Sequence, residues 1–274
     1  MRKWATWMAA AAAMALAGGA SADEASVKKL LASKYASLPS GVVVKKLPIP
    51  GMYEINLLGQ EAYTNEKVDF MLVGGSLVEA SKLENLTATR KPQFLRDFYQ
   101  SLPLEHAIKT VYGKGERSLV SFEDPDCPIC REQHAEWGRN AAKMNATVYT
   151  FLFPLKIHPD ARRKAEFIWC QPDPSAAWSR WMAKGQGLAL DAKGALSAPP
   201  SCAAGVEHVA ASEKLARALG YQETPRFIFA NGLGAASAMG MEDFQLAFAE
   251  VARSKADSGQ ASPAKKPASI ELKK

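Results

Sequence analysis

Asp126-Cys127-Pro128-Ile129-Cys130 follows the apolar run Leu119-Val120-Ser121-Phe122 and leads into a helical pattern from Cys130 to about Lys143. Strand, Cys-x-x-Cys, helix is the order in which a dithiol becomes a redox centre. The first sulfur then lies at a helix N-terminus, where unpaired backbone N–H groups and the positive end of the macrodipole favour a thiolate. Cys127 is expected to be the exposed nucleophile. Cys130, one turn in and more buried, should be the resolving thiol with the higher pKa. Pro128 suits the first helical turn, which needs no N–H from it. Glu123, Asp124 and Asp126 should work against the thiolate and Arg131 in its favour. His134, one turn past Cys130, could influence the thiols, but reads first as an ordinary helix-face histidine.

The cysteines depend on where the chain resides. Arg2-Lys3, the apolar run Trp4–Ala17 and the small residues Gly18-Gly19-Ala20-Ser21-Ala22 read as an export signal cleaved after Ala22, too short for a membrane span. Outside the reducing cytosol, distant cysteines tend to pair. Cys170 with Cys202 is the pairing that leaves the close pair intact. Four cysteines could instead hold one zinc, although Cys170 and Cys202 do not form the second close pair that structural zinc sites usually have. A purely structural Cys127–Cys130 bridge is a further reading; so tight a loop would stabilise little. The formal net charge of +6 becomes +4 without Arg2 and Lys3. So mild and dispersed an excess reads as solvation and not as a nucleic-acid footprint.

The chain divides by pattern. Residues 23–82 begin with an amphipathic helix over Asp23–Ser37, carrying Val27, Leu30, Leu31 and Tyr35 on one face. Strand-like runs follow at Val42–Val44, Met52–Leu58, Ala62–Thr64 and Val68–Val78. The acids Glu54, Glu61, Glu66 and Asp69 read as solvent-facing. So small a sheet leaves edges that a second copy could cover. Residues 83–112 read as a helical linker interrupted at Pro92 and Pro103, with Phe94, Leu95, Phe98 and Tyr99 packing on a neighbouring domain.

Residues 113–253 form a second unit. Strands at Arg117–Phe122 and Ala146–Phe153 flank the Cys130 helix in a βαβ pattern. Helices over Pro159–Cys170 and Asp173–Lys184 make an insertion at about 155–205, and Val206–Leu219 is helical again. Arg226–Phe229 is a strand, Asn231-Gly232 a hairpin turn, and a last short strand is expected near Ala238-Met239, before a helix over Glu242–Val251. Residues 254–274 are rich in Lys, Ala, Ser and Pro and are expected to be disordered. Thr224-Pro225 opens a strand, the place where a thioredoxin-like fold would carry a cis proline facing the dithiol.

Taken together, these stretches resemble the DsbC/DsbG family of periplasmic thiol:disulfide isomerases over nearly the whole length after the leader. Phe122–Cys130 stands where that family has its strand end and dithiol. Phe167-Ile168-Trp169-Cys170 and Ser201-Cys202 match its structural bridge, Gly220–Pro225 its cis-proline loop and Asn231-Gly232 the next hairpin. The resemblance implies a cystatin-like α+β dimerisation domain, a linker helix and an α/β thioredoxin-like domain with a helical insertion. It further implies a homodimer acting on unfolded or misoxidised exported proteins, and a membrane electron donor of the DsbD type. No cofactor or metal is called for. Asp124, where the family often has an acid, or Glu123 is expected to take the proton of Cys130. Ser121 stands where thioredoxins carry a buried acid, so that assignment does not transfer simply.

The spacer departs from the isomerase branch. Pro128-Ile129 replaces its Gly-Tyr and resembles the Pro-initiated spacer of the DsbG branch. Spacer residues tune the potential. A reductase of oxidised single cysteines, a net thiol oxidase and a non-catalytic holdase therefore stand beside the isomerase as alternatives.

Overall fold

Asp23 opens the first helix, its carboxylate accepting the Ser26 N–H at 2.7 Å. That helix, α1 (Glu24–Lys34), lays Val27 and Leu31 on a four-stranded antiparallel sheet. The sheet runs in the order β1 (Val43–Lys46), β2 (Met52–Leu57), β3 (Gln60–Asn65), β4 (Met71–Val73). Tyr35, expected on the buried face of α1, is exposed because the helix stops at Lys34. The computed structural model describes residues 22–35, 42–82, 84–192, 197, 202–236 and 238–259. The leader at 1–22 lies outside these residues, apart from Ala22.

Leu58-Gly59 turns β2 into β3 with positive φ at both positions (56° and 89°). This is the two-residue hairpin geometry that matches strand twist. Leucine rarely adopts it, yet Leu58 is buried here against Phe98 of the linker helix, which offsets the cost. Glu54 corrects an expectation. It is only 4% exposed, and Arg90 grips it through Nη2 at 2.9 Å and Nε at 3.3 Å. Alternation along β2 puts Glu54 on the face opposite Tyr53, but the linker helix covers that face.

After the short strands β5 (Val78–Glu79) and β6 (Glu84–Asn85), the linker helix α2 runs from Leu86 to Gln100, capped by Asn85. It passes through Pro92 without ending there, although an interior proline costs roughly 3 kcal/mol. Contacts at its middle and its C-terminal end hold it in place. Asn56 Nδ2 donates to the Phe94 carbonyl at 2.9 Å, and the Tyr99 hydroxyl meets Ser118 Oγ at 2.6 Å. Near its middle a Cβ on Gly232 would come within 2.1 Å of the Leu95 carbonyl oxygen, so only glycine permits that approach.

A 3-10 turn at Leu104–His106 then leads to β7 (Ile108–Tyr112). These five residues were expected in the helical linker. They form instead the edge strand of a second sheet, antiparallel to β9 (Ala146–Leu152). That sheet runs β11 (Gly234–Ala236), β10 (Arg226–Phe229), β8 (Arg117–Glu123), β9, β7. Strands β8 and β9 are parallel and joined through α3 (Pro128–Arg139) and α4 (Ala141–Met144), the expected crossover. The last strand lies at Gly234–Ala236 and not near Ala238, because the turn at Asn231-Gly232 is short and pairing with β10 begins at once.

Between β9 and β10 lie α5 (Ala161–Trp169), α6 (Pro174–Lys184) and α7 (Ala203–Ala218). Helix α8 (Met241–Gly259) packs Phe244, Phe248 and Val251 on the β10 side of the sheet. Its last turns include residues 254–259, which were expected in the disordered tail. Alanine, lysine and aspartate there tolerate a helix, and no glycine intervenes before Gly259. Residues 260–274 lie outside the described set.

Candidate active site

Cys127 is the N-cap of α3. Its sulfur accepts the Cys130 backbone N–H at 3.3 Å and faces the Thr224 carbonyl at 3.6 Å. The Thr224-Pro225 peptide bond is cis, which sets that carbonyl across from the dithiol. Hydrogen bonding from Cys130 holds the Cys127 thiol at about 6, down from 9.0; burial acts against this, while Thr224 and the N–H of Ile129 add to it. The Thr224 hydroxyl is buried and has no hydrogen-bond partner among the described residues. Cys127 is not the exposed sulfur that was expected. It is 5% exposed, while Pro128 and Ile129 of the spacer face solvent.

Cys130 is fully buried, and its pKa is pushed far up. Burial is the main cause, followed by its hydrogen bond to Cys127 and the charge of Glu123. One thiol is thus poised to ionise near neutrality and the other to keep its proton.

The carboxylates that precede the dithiol are each matched. Glu123 is buried at the end of β8, accepting from Ser121 Oγ at 2.6 Å and lying 2.7 Å from His134 Nε2. His134 Nδ1 is in turn 2.9 Å from the Tyr112 hydroxyl. His134 is therefore no ordinary surface histidine; it sits one turn past Cys130, on the covered side of α3. Asp124, also buried, accepts the N–H of Asp126 at 2.7 Å and of Leu155 at 2.6 Å, and meets His158 Nδ1 at 3.0 Å. Asp126 holds the Lys164 ammonium through both oxygens, at 2.8 and 3.0 Å. The expected opposition to the thiolate is relieved because each negative charge has its own partner.

Arg131 also binds the loop that precedes the dithiol. Its guanidinium lies over Trp181, with its centre 5.0 Å from the ring centroid, and donates to the Pro125 and Trp181 carbonyls at 3.4 Å. Trp181 Nε1 donates to the same Pro125 oxygen at 2.7 Å. Both tie the loop before the dithiol to α6. Cys170 and Cys202 form a disulfide between the C-cap of α5 and the N-cap of α7. That bridge removes two sulfurs from any four-cysteine zinc site.

Sequence reasoning missed Lys164, His158 and Tyr112. The first two come from the insertion, 38 and 34 residues beyond the acids they meet. The available signal was three acids within four positions, which called for compensating charge from elsewhere in the chain.

Two family descriptions match the chain: Disulfide bond isomerase protein N-terminal domain over residues 18–88, and Thioredoxin-like domain over residues 104–252. The probable thiol:disulfide interchange protein DsbC of Bordetella parapertussis is 35% identical over 192 residues, covering 69% of this chain and 61% of that protein. The protein of the same description in Bordetella avium is 30% identical over 216 residues, covering 78% and 70%. The disulfide interchange protein from Neisseria gonorrhoeae, a solved structure, is 33% identical with a TM-score of 0.44, covering 54% of this chain and 97% of that one.

Proposed function

The chain belongs to the DsbC family of thiol:disulfide interchange proteins, and from that premise we propose that it reduces and isomerises non-native disulfides in exported proteins, with Cys127 as nucleophile and Cys130 as resolving thiol. The observation that carries this reading is the asymmetry of the pair. Cys127 is held at about 6 at a helix N-terminus, and Cys130 is buried beside it and pushed up.

The Cys127 thiolate attacks one sulfur of a client disulfide, forming a mixed disulfide and releasing the other client sulfur as thiolate. In isomerisation a client thiolate then attacks the client sulfur of the mixed bond, making a new client disulfide and returning Cys127 as thiolate. In reduction Cys130 attacks Cys127 Sγ, leaving a Cys127–Cys130 disulfide and a reduced client. Cys130 must lose its proton for that step. We assign that proton to Glu123, whose charge acts on Cys130 and whose Oε2 lies 2.7 Å from His134 Nε2, so that His134 can share it. Asp124 accepts the N–H groups of Asp126 and Leu155 and meets His158, and we assign it the holding of that loop.

The cis-Pro225 loop would hold an extended client chain, and Pro128-Ile129 would set the potential. Two electrons per turnover must then come from a reductant of the membrane DsbD type whenever Cys130 has resolved. Residues 23–82 are read as the dimerisation domain. Among the described residues strand β4 pairs with β3 on one side only, and Phe70, Leu72 and Val73 are half exposed, an edge suited to a second copy. A periplasmic setting follows from the same reading; among the described residues no helix is long and apolar enough to cross a membrane. Refolding of scrambled ribonuclease tests the function. The reduced protein should catalyse it and Cys127→Ser should abolish catalysis; retained isomerisation in that variant would sink the proposal.

A further inference from the structure

At the end of the sheet where the parallel strands β8 and β9 both finish, a groove of about 660 Å³ opens between the loop that follows β9 and helix α7. Phe153 and Leu155 contribute apolar surface, and Ile157 stands at its rim, 76% exposed. The remaining wall is basic. Lys156, Arg162 and Arg217 face a single lining acid, Glu213. Arg162 Nη1 and Arg217 Nη2 bind that acid at 2.9 and 2.7 Å, and Glu166, outside the groove, takes Arg162 Nε. Lys156 is exposed and has no carboxylate partner among the described residues, and the Arg217 side chain is 59% exposed.

The groove is fastened to the dithiol on two sides. Gln222 in its wall stands two residues before Thr224, whose carbonyl faces Cys127. On the other side Asp124, three residues before Cys127, holds the groove's Leu155 N–H and His158 ring. A client chain extended along the cis-Pro225 loop would pass Thr224 and then Gln222, which lies in the groove wall.

We propose that this groove seats the client segment next to its reacting cysteine and prefers an apolar side chain accompanied by a carboxylate. The apolar residue meets Leu155 and Ile157, and the carboxylate meets Lys156 and the free N–H groups of Arg217. This inference rests on the exchange function proposed above. It deepens that function by assigning the site a sequence preference.

Two disulfide-linked peptides that differ only in carrying Leu-Glu or Leu-Lys beside the cysteine test it, with hydroxyethyl disulfide as a probe too small to fill the groove. The reduced wild type should reduce the Leu-Glu peptide with a kcat/KM about tenfold higher than the Leu-Lys peptide, as two exposed charge contacts would give. That preference should fade at high salt. Lys156→Glu with Arg217→Glu should invert the order, which a merely misfolded variant would not do, since misfolding slows both peptides alike. Ile157→Ser should lower kcat/KM for both peptides while keeping the order. Equal rates on the two peptides in a wild type that reduces hydroxyethyl disulfide through Cys127 would overturn the groove. Failure to react with hydroxyethyl disulfide would overturn the exchange function itself.

Discussion

Raising the pH through about 6 should change how many protons the dithiol takes up on reduction. Below the Cys127 value of about 6, reduction of the Cys127–Cys130 disulfide adds two electrons and two protons. Above it, Cys127 remains a thiolate and only Cys130, whose pKa is pushed far up, takes a proton. Each proton contributes about 30 mV per pH unit to a two-electron couple. The potential should therefore fall by about 60 mV per unit at acid pH and by about 30 mV per unit above the break.

The sign follows from the direction of the shift. A lowered thiol pKa stabilises the reduced form above that pKa, and the effect is lost as pH falls through it. At pH 7 the stabilisation is about 1.4 kcal/mol, which makes the couple about 30 mV more oxidising than one with an unshifted thiol. Kinetics gain less than the thiolate fraction suggests. About nine-tenths of Cys127 is ionised at pH 7 against about one hundredth for an unshifted thiol, but a Brønsted slope near 0.45 returns roughly twentyfold of that advantage. The assay is equilibration with glutathione buffers from pH 5 to 9, the redox state being read by thiol alkylation. A single slope of about 60 mV per unit across the range would refute the assigned asymmetry.

Three further perturbations read other parts of the site. Lys164→Met leaves the Asp126 carboxylate without its cation one residue before Cys127; the Cys127 pKa should rise by about one unit and return when Asp126→Asn is added, as thiolate absorbance would report. Replacing Cys170 and Cys202 together by Ala opens a connection of sequence separation 32. The chain-entropy relation makes this worth about 3.7 kcal/mol. The calorimetric midpoint should drop by roughly 7–15 °C, and an unchanged midpoint would contradict the bridge's structural role. Glu123→Gln should slow resolution by Cys130 about a hundredfold, with little change in the first attack, so stopped-flow with quenching should find the mixed disulfide accumulating. Equal effects on both steps would shift the role of Glu123 to packing.

The features read correctly from the sequence are those whose signal is local. The dithiol at a helix start, the Asn231-Gly232 turn and the apolar runs of β8 and β9 each announce themselves within a few residues. Cys170 and Cys202 could be joined at a distance because so few cysteines leave few pairings. What escaped depends on partners far along the chain. Ile108–Tyr112 is five residues long and follows a strong helical pattern, and its strand character comes from pairing with β9. Glu54 looked like the outward member of an alternating strand until α2 covered it with Arg90. Asp124 and Asp126 looked hostile to a thiolate because His158 and Lys164 arrive from the insertion, where no periodicity points to them. Cys127 was expected exposed because the helix start alone does not reveal the Thr224-Pro225 loop lying over it.

Trapping of the mixed disulfide tests the central claim most directly. Cys130→Ser removes the resolving thiol, so incubation of the reduced variant with a scrambled disulfide protein should accumulate a covalent complex through Cys127, stable until dithiothreitol is added. Cys127→Ser should give none, because Cys130 is buried and keeps its proton. Complexes forming equally through Cys130 in the Cys127→Ser protein would contradict the account.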